Sequence, residues 1–452
     1  MSIKKEYVIY KLADKMKHAI HFDAEQFVRL GVKRGLRNQD GSGVLVGLTN
    51  IGDVHGYERD AEGQIHPAKG RLFYRGYDIA ELVHAAQREH RFGFEEVAVL
   101  LLSGSLPDKD DLREFSMLVR DNMPLDPRTT LHIIELEGHD IMNILARSVL
   151  ELYTFDPQAD DTSRENLMRQ SVMLVSKFPT IVAYAYNTLR HNRLGRSLSI
   201  RHPQRGLSIA ENFLYMLKGK GFTPLEAQML DLLLIVQAEH GGGNNSTFTV
   251  RVTSSAGTDT YSSIAAGIGS LKGPLHGGAN LQVVRMLHFL KDEIKDWEDE
   301  NEIREVLRQI IRGEIFDKRG LIYGIGHAVY TLSDPRAELL KELSDALAHE
   351  KGREREHAFM LRLERIACQE VTTMKSRTKP VCANVDFYSG FIYELLGFPP
   401  EIFTPIFAMA RIVGWCAHRN EELCFQGSRI IRPAYRFVDE IRQTYVPLNQ
   451  RV

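Results

Sequence analysis

The run from 224 to 240 limits what this chain can become. Leu225, Met229, Leu230, Leu232, Leu233, Leu234, Ile235 and Val236 make it apolar on most sides. A helix of that kind must be buried, so the rest of the chain has to surround it. The other segments suit that task. From Asp78 onward apolar residues recur at helical spacing, through 79–84, 94–102, 128–153, 164–190 and 207–219. Pro107-Asp108-Lys109-Asp110-Asp111-Leu112 reads as a helix start with acids in its first turn. Residues 256–270 are rich in Ala, Gly and Ser, which lets helices approach closely. The pattern predicts a mainly α fold.

Residues 1–40 read as amphipathic helix with a basic bias, ending near Gly35. Between Gly41 and Tyr77 the character changes. Short β-rich runs at 44–49, 50–54 and 70–77, bounded by Gly and Asp, predict a small hairpin or meander. Near residue 280 it changes again: 291–312, 335–351 and 355–375 are charged, amphipathic helices, and 398–414 is apolar once more. A large helical body with a smaller, more solvated helical unit inserted late is expected. The boundaries fall at 1–277 and 388–452 for the body and 278–387 for the insert.

The 452 residues carry 57 Lys and Arg against 59 Asp and Glu, a formal charge of −2. That gives no support to nucleic-acid or membrane-surface binding. Any anionic ligand must then meet local clusters of arginine and lysine. Cys368, Cys382, Cys416 and Cys424 contain no C-x-x-C pair, so free thiols in a reducing compartment are the simplest reading. No uncharged apolar run reaches the roughly 18 residues of a membrane span, and the first residues lack a signal peptide's apolar core. A cytoplasmic protein is expected.

Five stretches carry chemistry. Gly273-Pro274-Leu275-His276-Gly277-Gly278-Ala279-Asn280 sets a histidine between a Gly-Pro turn and two residues without Cβ, ahead of a helix-like run. Such a backbone lets a substrate approach the ring. Gln237-Ala238-Glu239-His240-Gly241-Gly242-Gly243 ends the apolar helix in a histidine and a glycine loop. Tyr323-Gly324-Ile325-Gly326-His327 places a histidine after Gly-x-Gly, but outside any βαβ dinucleotide pattern, and Asp334-Pro335-Arg336 follows. In Ala383-Asn384-Val385-Asp386-Phe387-Tyr388-Ser389-Gly390 a carboxylate stands among apolar neighbours, where partial burial would raise its pKa and suit it to act as a base. Asp386 also has the look of an N-cap. Arg411 interrupts an apolar helix, and a buried guanidinium needs carboxylate partners. Arg432 stands in Ile430-Ile431-Arg432-Pro433.

Taken in this order, from about residue 40 onward, the stretches resemble the citrate synthase family. The matching pieces are 239–245, 273–280, 326–327 with 334–336, 384–390 and 407–414, with 47–49 and 74–77 similar to that family's N-terminal turn region. The resemblance implies a mainly α-helical homodimer of large and small domains with a cleft between them. Condensation of acetyl-CoA with oxaloacetate and hydrolysis of citryl-CoA are implied, with no metal or organic cofactor. Catalytic roles are implied for His276, His327 and Asp386. Carboxylate-binding roles are implied for His240, His327, Arg336, Arg411 and Arg432, the last reaching the partner's site. Coenzyme A is expected against Leu321, Tyr323, Gly324, Gly326, Lys375, Arg377 and Lys379.

The chain departs from many bacterial relatives at Gln237, where they carry His, at Ala328, where they carry Arg, and at Gly241-Gly242-Gly243. These touch loop detail and leave the core roles filled. A neutral His276 suits hydrogen-bond donation to an enol oxygen, the ring being placed where a helix N-terminus disfavours imidazolium. His327 would polarise the ketone and protonate the forming alkoxide. The close relative 2-methylcitrate synthase, acting on propionyl-CoA, is the alternative, although Phe387-Tyr388-Ser389-Gly390 looks more like the citrate enzymes. A silent helical scaffold is the alternative of another class.

Overall fold

A computed structural model describes residues 3–451 except 21, 39–41, 63, 137, 376–378 and 439–443. The chain divides into two units, Met1–Val46 with Ile431–Val452, and Gly47–Ile430. The first unit holds helices Ile3–Ala19 and Ala24–Arg29 and 3₁₀ turns at Arg34–Leu36 and Leu448–Gln450. The sequence reading ran one helix through to Gly35. Asp23 interrupts it by capping a second helix, its side chain accepting from the Gln26 N–H while Gln26 returns a bond to the Asp23 N–H.

The second unit opens with the expected meander. Strands β1 (Gly52–Arg59), β2 (Ile65–Tyr74) and β3 (Tyr77–Asp78) pair antiparallel in the order β1-β2-β3, with Gly52 opposite Tyr74. Residues 44–49, expected to be β-rich, form no strand. Among the described residues after β3 there are helices, loops and one isolated antiparallel bridge, Ile325 to Ala383. Helix Pro224–Gln237 is buried as its composition requires, with Leu230, Leu233, Leu234 and Val236 sealed from solvent. Thr223 and Glu226 close a capping box at its start, and Pro224 takes the first helical position. The helix stops at Gln237, three residues before the expected end at His240, so His240 belongs to the loop.

Two other runs read as single helices are broken by aspartate caps. Residues 128–153 become Pro127–Glu135 and Ile141–Phe155, the latter capped by Asp140. Residues 291–312 become the end of Ala279–Glu293 and then Glu300–Arg312, capped by Asp299. In both cases a short polar side chain satisfies free N–H groups and restarts the helix. Helix Phe403–Cys424 packs against Arg164–Leu194, Pro224–Gln237, Asn245–Ser254 and Thr260–Lys272, and Trp415 is fully buried within it.

Candidate active site

Helix ends and the loops beside them carry the candidate residues. His240 follows helix Pro224–Gln237, His276 precedes helix Ala279–Glu293, and His327 lies in the loop ahead of Pro335–Glu350. Arg336 is in the first turn of that last helix, Asp386 in the first turn of Val385–Leu395, and Arg411 in the middle of Phe403–Cys424. The fold brings six of them together. The His240 and His327 rings meet edge to face at 5.2 Å. Tyr330 stacks on His327 at 4.7 Å, and the Arg336 guanidinium lies 5.7 Å from the Tyr330 ring. Arg336 and Arg411 both act electrostatically on Asp386 and on His240, and Arg411 also acts on His276.

The His327 loop is fastened to the segment that delivers Asp386. Gly326 N–H donates to Cys382 O at 2.8 Å, Asn384 N–H donates to Gly324 O at 2.8 Å, and the Asn384 side chain donates to Gly326 O at 2.9 Å. Asn384, not Asp386, is the N-cap here; its side chain accepts from the Asp386 N–H. The Asp386 carboxylate is thereby released from capping. Gly324 has φ +81°, and a Cβ there would stand about 3.0 Å from Phe387. Only glycine allows this close docking.

His276 is oriented from behind. The Ser246 N–H points at its Nε2 from 3.3 Å, and Ser246 Oγ lies 3.0 Å from the same nitrogen. A backbone amide can only donate, so Nε2 accepts and the neutral ring keeps its proton on Nδ1. Trp415 Nε1 donates to Ser246 Oγ at 3.1 Å and steadies it. Burial, then the positive charge of Arg411, push the His276 pKa down to about 4. Its neutrality therefore rests on desolvation first. The glycines beside it also have an internal reason. A Cβ on Gly277 would meet Leu271 O at 2.6 Å, so the tight turn itself excludes a side chain.

His327 is oriented by its own loop. Its Nδ1 accepts from Val329 N–H at 3.0 Å and Tyr330 N–H at 3.1 Å, which leaves Nε2 as the proton-bearing nitrogen of the neutral ring. Arg336 is held by Asp334, which accepts from Nε at 3.0 Å and Nη2 at 2.7 Å. Burial opposes the charge of Arg336, and Asp334 outweighs it and raises the pKa.

Arg411 is fully buried, yet among the described residues it forms no ion pair. Its Nε donates to Gln237 O at 2.7 Å, while Nη1 and Nη2 have no hydrogen-bond partner among the described residues. No carboxylate among the described residues bonds it directly; Glu239 acts on it only through its charge. Burial pushes the Arg411 pKa down to about 10 against the pull of Glu239. His240 Nε2, Tyr330 Oη and Asp386 Oδ1 are buried and without hydrogen bonds as well. Burial is the main reason that the Asp386 pKa is raised to about 7, with Asp334 adding to it and Arg336 and Arg411 opposing. Burial, then the neighbouring arginines and histidines, hold His240 well below its ordinary value. The centre is a desolvated cluster of unsatisfied polar atoms beside a carboxyl poised near neutrality. Such a cluster can bind a small carboxylate-bearing ligand and abstract a proton next to it.

The coenzyme A candidates are spread over the His327 loop and the end of helix Glu354–Met374. In the loop, Leu321 is exposed and the Tyr323 hydroxyl donates to Asp317. Lys375 Nζ donates to Gly320 O at 2.7 Å, tying the end of helix Glu354–Met374 to the same loop. Lys379 is exposed, and Arg377 lies outside the described residues. Arg432 is exposed and belongs to the terminal unit. Sequence reasoning missed Ser246, Trp415 and Tyr330. Only the position of Tyr330, three residues after His327, offered a signal.

The family model described as citrate synthase, C-terminal domain, matches residues 40–434. A citrate synthase of Acidithiobacillus ferridurans is 36% identical over 394 residues, covering 86% of this chain and 94% of that one. One of Haloferax volcanii is 33% identical over 425 residues, with 93% and 99% covered. Among solved structures, the citrate synthase of Pyrobaculum aerophilum has a TM-score of 0.73 at 33% identity, covering 90% of this chain and 94% of that one. That of Thermotoga maritima has a TM-score of 0.72 at 30% identity, covering 93% and 99%. The chain belongs to the citrate synthase family and is an enzyme of its class, a transferase that converts an acyl group into an alkyl group on transfer.

Proposed function

We propose that the chain condenses acetyl-CoA with oxaloacetate and hydrolyses the resulting citryl-CoA to citrate and coenzyme A. The observation that carries this reading is the buried Arg411 guanidinium with both terminal nitrogens unpaired, facing the same centre as an Asp386 whose pKa is raised to about 7. A desolvated cation whose terminal nitrogens hold no hydrogen bond asks for an anionic ligand. The two carboxylates of oxaloacetate take up His240, Arg336 and Arg411. In the homodimer we assign, Arg432 of the partner subunit completes the set.

Asp386 removes a proton from the acetyl methyl group. The electrons move onto the thioester oxygen, where His276 Nδ1–H donates a hydrogen bond to the enol. The enol carbon attacks the ketone carbon, and His327 Nε2–H bonds the ketone oxygen as it becomes alkoxide. Each such preorganised donor lowers the barrier by about 3–4 kcal/mol. Water then cleaves the thioester and releases the thiol of coenzyme A. Coenzyme A lies against Leu321, Tyr323, Gly324 and Gly326 and the basic residues Lys375, Arg377 and Lys379. The unit at 278–387 closes over the site against 1–277 and 388–452, which keeps water out until condensation is complete. The chemistry calls on no metal or organic cofactor, and the protein works in the cytoplasm.

Thiol release with and without oxaloacetate tests the reading. Oxaloacetate-dependent release is expected from acetyl-CoA, with propionyl-CoA slower by about 10–200-fold for its extra methylene. Faster release from propionyl-CoA transfers the assignment to 2-methylcitrate formation. Release from neither overturns it in favour of a silent scaffold.

A further inference from the structure

Behind His240 runs a chain of buried charged groups that touches none of the proposed reacting atoms. Glu239 is fully buried. Its Oε1 accepts from His418 Nε2 at 2.8 Å and from the Gly241 N–H. His418, also fully buried, accepts at Nδ1 from Arg251 Nε at 3.0 Å. Arg251 in turn donates to Glu422 at 2.7 Å and to Glu421, and Glu421 accepts from the Asn50 N–H at 2.8 Å. A guanidinium only donates, so the proton of a neutral His418 ring is on Nε2 and points at Glu239.

The carboxylate is closely confined, with Oε2 buried and holding no hydrogen bond among the described residues. A Cβ on Gly52 would stand 2.6 Å from Glu239 Oε1, and one on Gly414 would stand 2.5 Å from Oε2. Its main chain is pinned as well. The Tyr74 hydroxyl lies 3.1 Å from Glu239 O and accepts from Glu239 N–H at 3.3 Å. His240 is the next residue, and Gly241, with φ +79°, turns the chain after it. One residue thus anchors the backbone on both sides of His240. The helix face that receives Glu239 runs through Gly414 and His418, and Arg411 begins it at positions i, i+3 and i+7.

We propose that Glu239 is a positioning residue for the oxaloacetate half of the site, acting through the His418–Arg251 relay to hold the His240–Gly241 turn against the face that carries Arg411. The inference rests on the oxaloacetate reading above. Glu239 touches no substrate; it sets where the His240 ring stands.

The test measures oxaloacetate affinity by calorimetry and both KM values in the full chain. Wild-type binding of oxaloacetate is established first, so a failure of the functional reading shows there and not in the variants. Glu239→Ala is expected to weaken oxaloacetate by about tenfold or more, the loss of one to two charge-assisted hydrogen bonds, with the KM for acyl-CoA changed less than twofold. Glu239→Gln, whose Oε1 can still accept from His418 and Gly241, is expected to stay within about threefold of wild type. His418→Phe is expected to match Glu239→Ala, and the double variant to add nothing, because groups acting as one unit are non-additive. Equal shifts in both KM values, an unchanged oxaloacetate affinity in Glu239→Ala, or a Gln variant as weak as Ala would each overturn the proposal. If Glu239→Ala does not fold, the Gln and His418→Phe variants decide alone.

Discussion

Two arginines on one helix, Arg411 and Arg419, are both fully buried, and burial pushes the pKa of each down to about 10. Their surroundings are opposite. Arg419 gives Nε to Thr260 Oγ1 at 3.1 Å, Nη1 to Ser254 Oγ at 3.0 Å and Ser263 Oγ at 2.8 Å, and Nη2 to Thr258 O at 2.6 Å. Arg411 gives one bond to a carbonyl and leaves both terminal nitrogens bare. A satisfied buried cation braces the helices around it. One with bare terminal nitrogens carries a standing desolvation cost that an anionic ligand can relieve. The contrast separates scaffold from site without reference to any relative.

Asp386→Asn strikes the site end of this contrast hardest. Turnover is expected to fall by about a thousandfold while oxaloacetate binding persists, because the amide cannot take a proton. Near-normal turnover would remove Asp386 from the role of base. The same variant has a stability signature. A carboxyl whose folded pKa is raised costs stability once pH exceeds its unfolded value near 3.9, and the cost grows until the folded value of about 7 is passed. Asp386→Asn is therefore expected to melt higher than wild type at pH 8, with the gain shrinking as pH falls toward 4.

The paired substitutions Arg411→Met and Arg419→Met test the contrast directly. At Arg411, oxaloacetate KM is expected to rise about a hundredfold with the melting temperature unchanged or higher. At Arg419, three hydroxyls lose their donor, and about 3–5 kcal/mol of stability is expected to go, with KM little changed in the protein that remains folded. A swap of these outcomes would break the distinction. A smaller effect sharpens it: kcat/KM is expected to rise with pH through about 7 as Asp386 ionises, with no limb from His276, already neutral above about 4. An acid limb centred near 4 would point to a different base.

Much of the site was legible before the fold. The histidines, the aspartate and the order of their glycine-flanked motifs were visible in the linear chain, as was the helical class, because apolar spacing and turn chemistry are local properties. His240, His276, His327, Arg336, Asp386 and Arg411 were singled out that way, and the fold gathers all six. Helix breaks at Asp140 and Asp299 were missed because an aspartate within a helical pattern looks like an exposed surface residue until its partner N–H groups are known. What holds the site in place was not legible at all. Ser246 reaches His276 across 30 residues of chain, His418 reaches Glu239 across 179, and Gln237 reaches Arg411 across 174.

The sequence by itself determined that the chain would be helical and which side chains are the candidates for chemistry. It marked Arg411 as a charge in an apolar helix in need of carboxylate partners, and it held no reading of Arg419 or of how the two differ. That difference was decided by tertiary structure, because a hydrogen bond between distant residues exists only once packing has brought donor and acceptor within about 3 Å. Local sequence sets which groups are present; only the fold sets which of them are left without a partner.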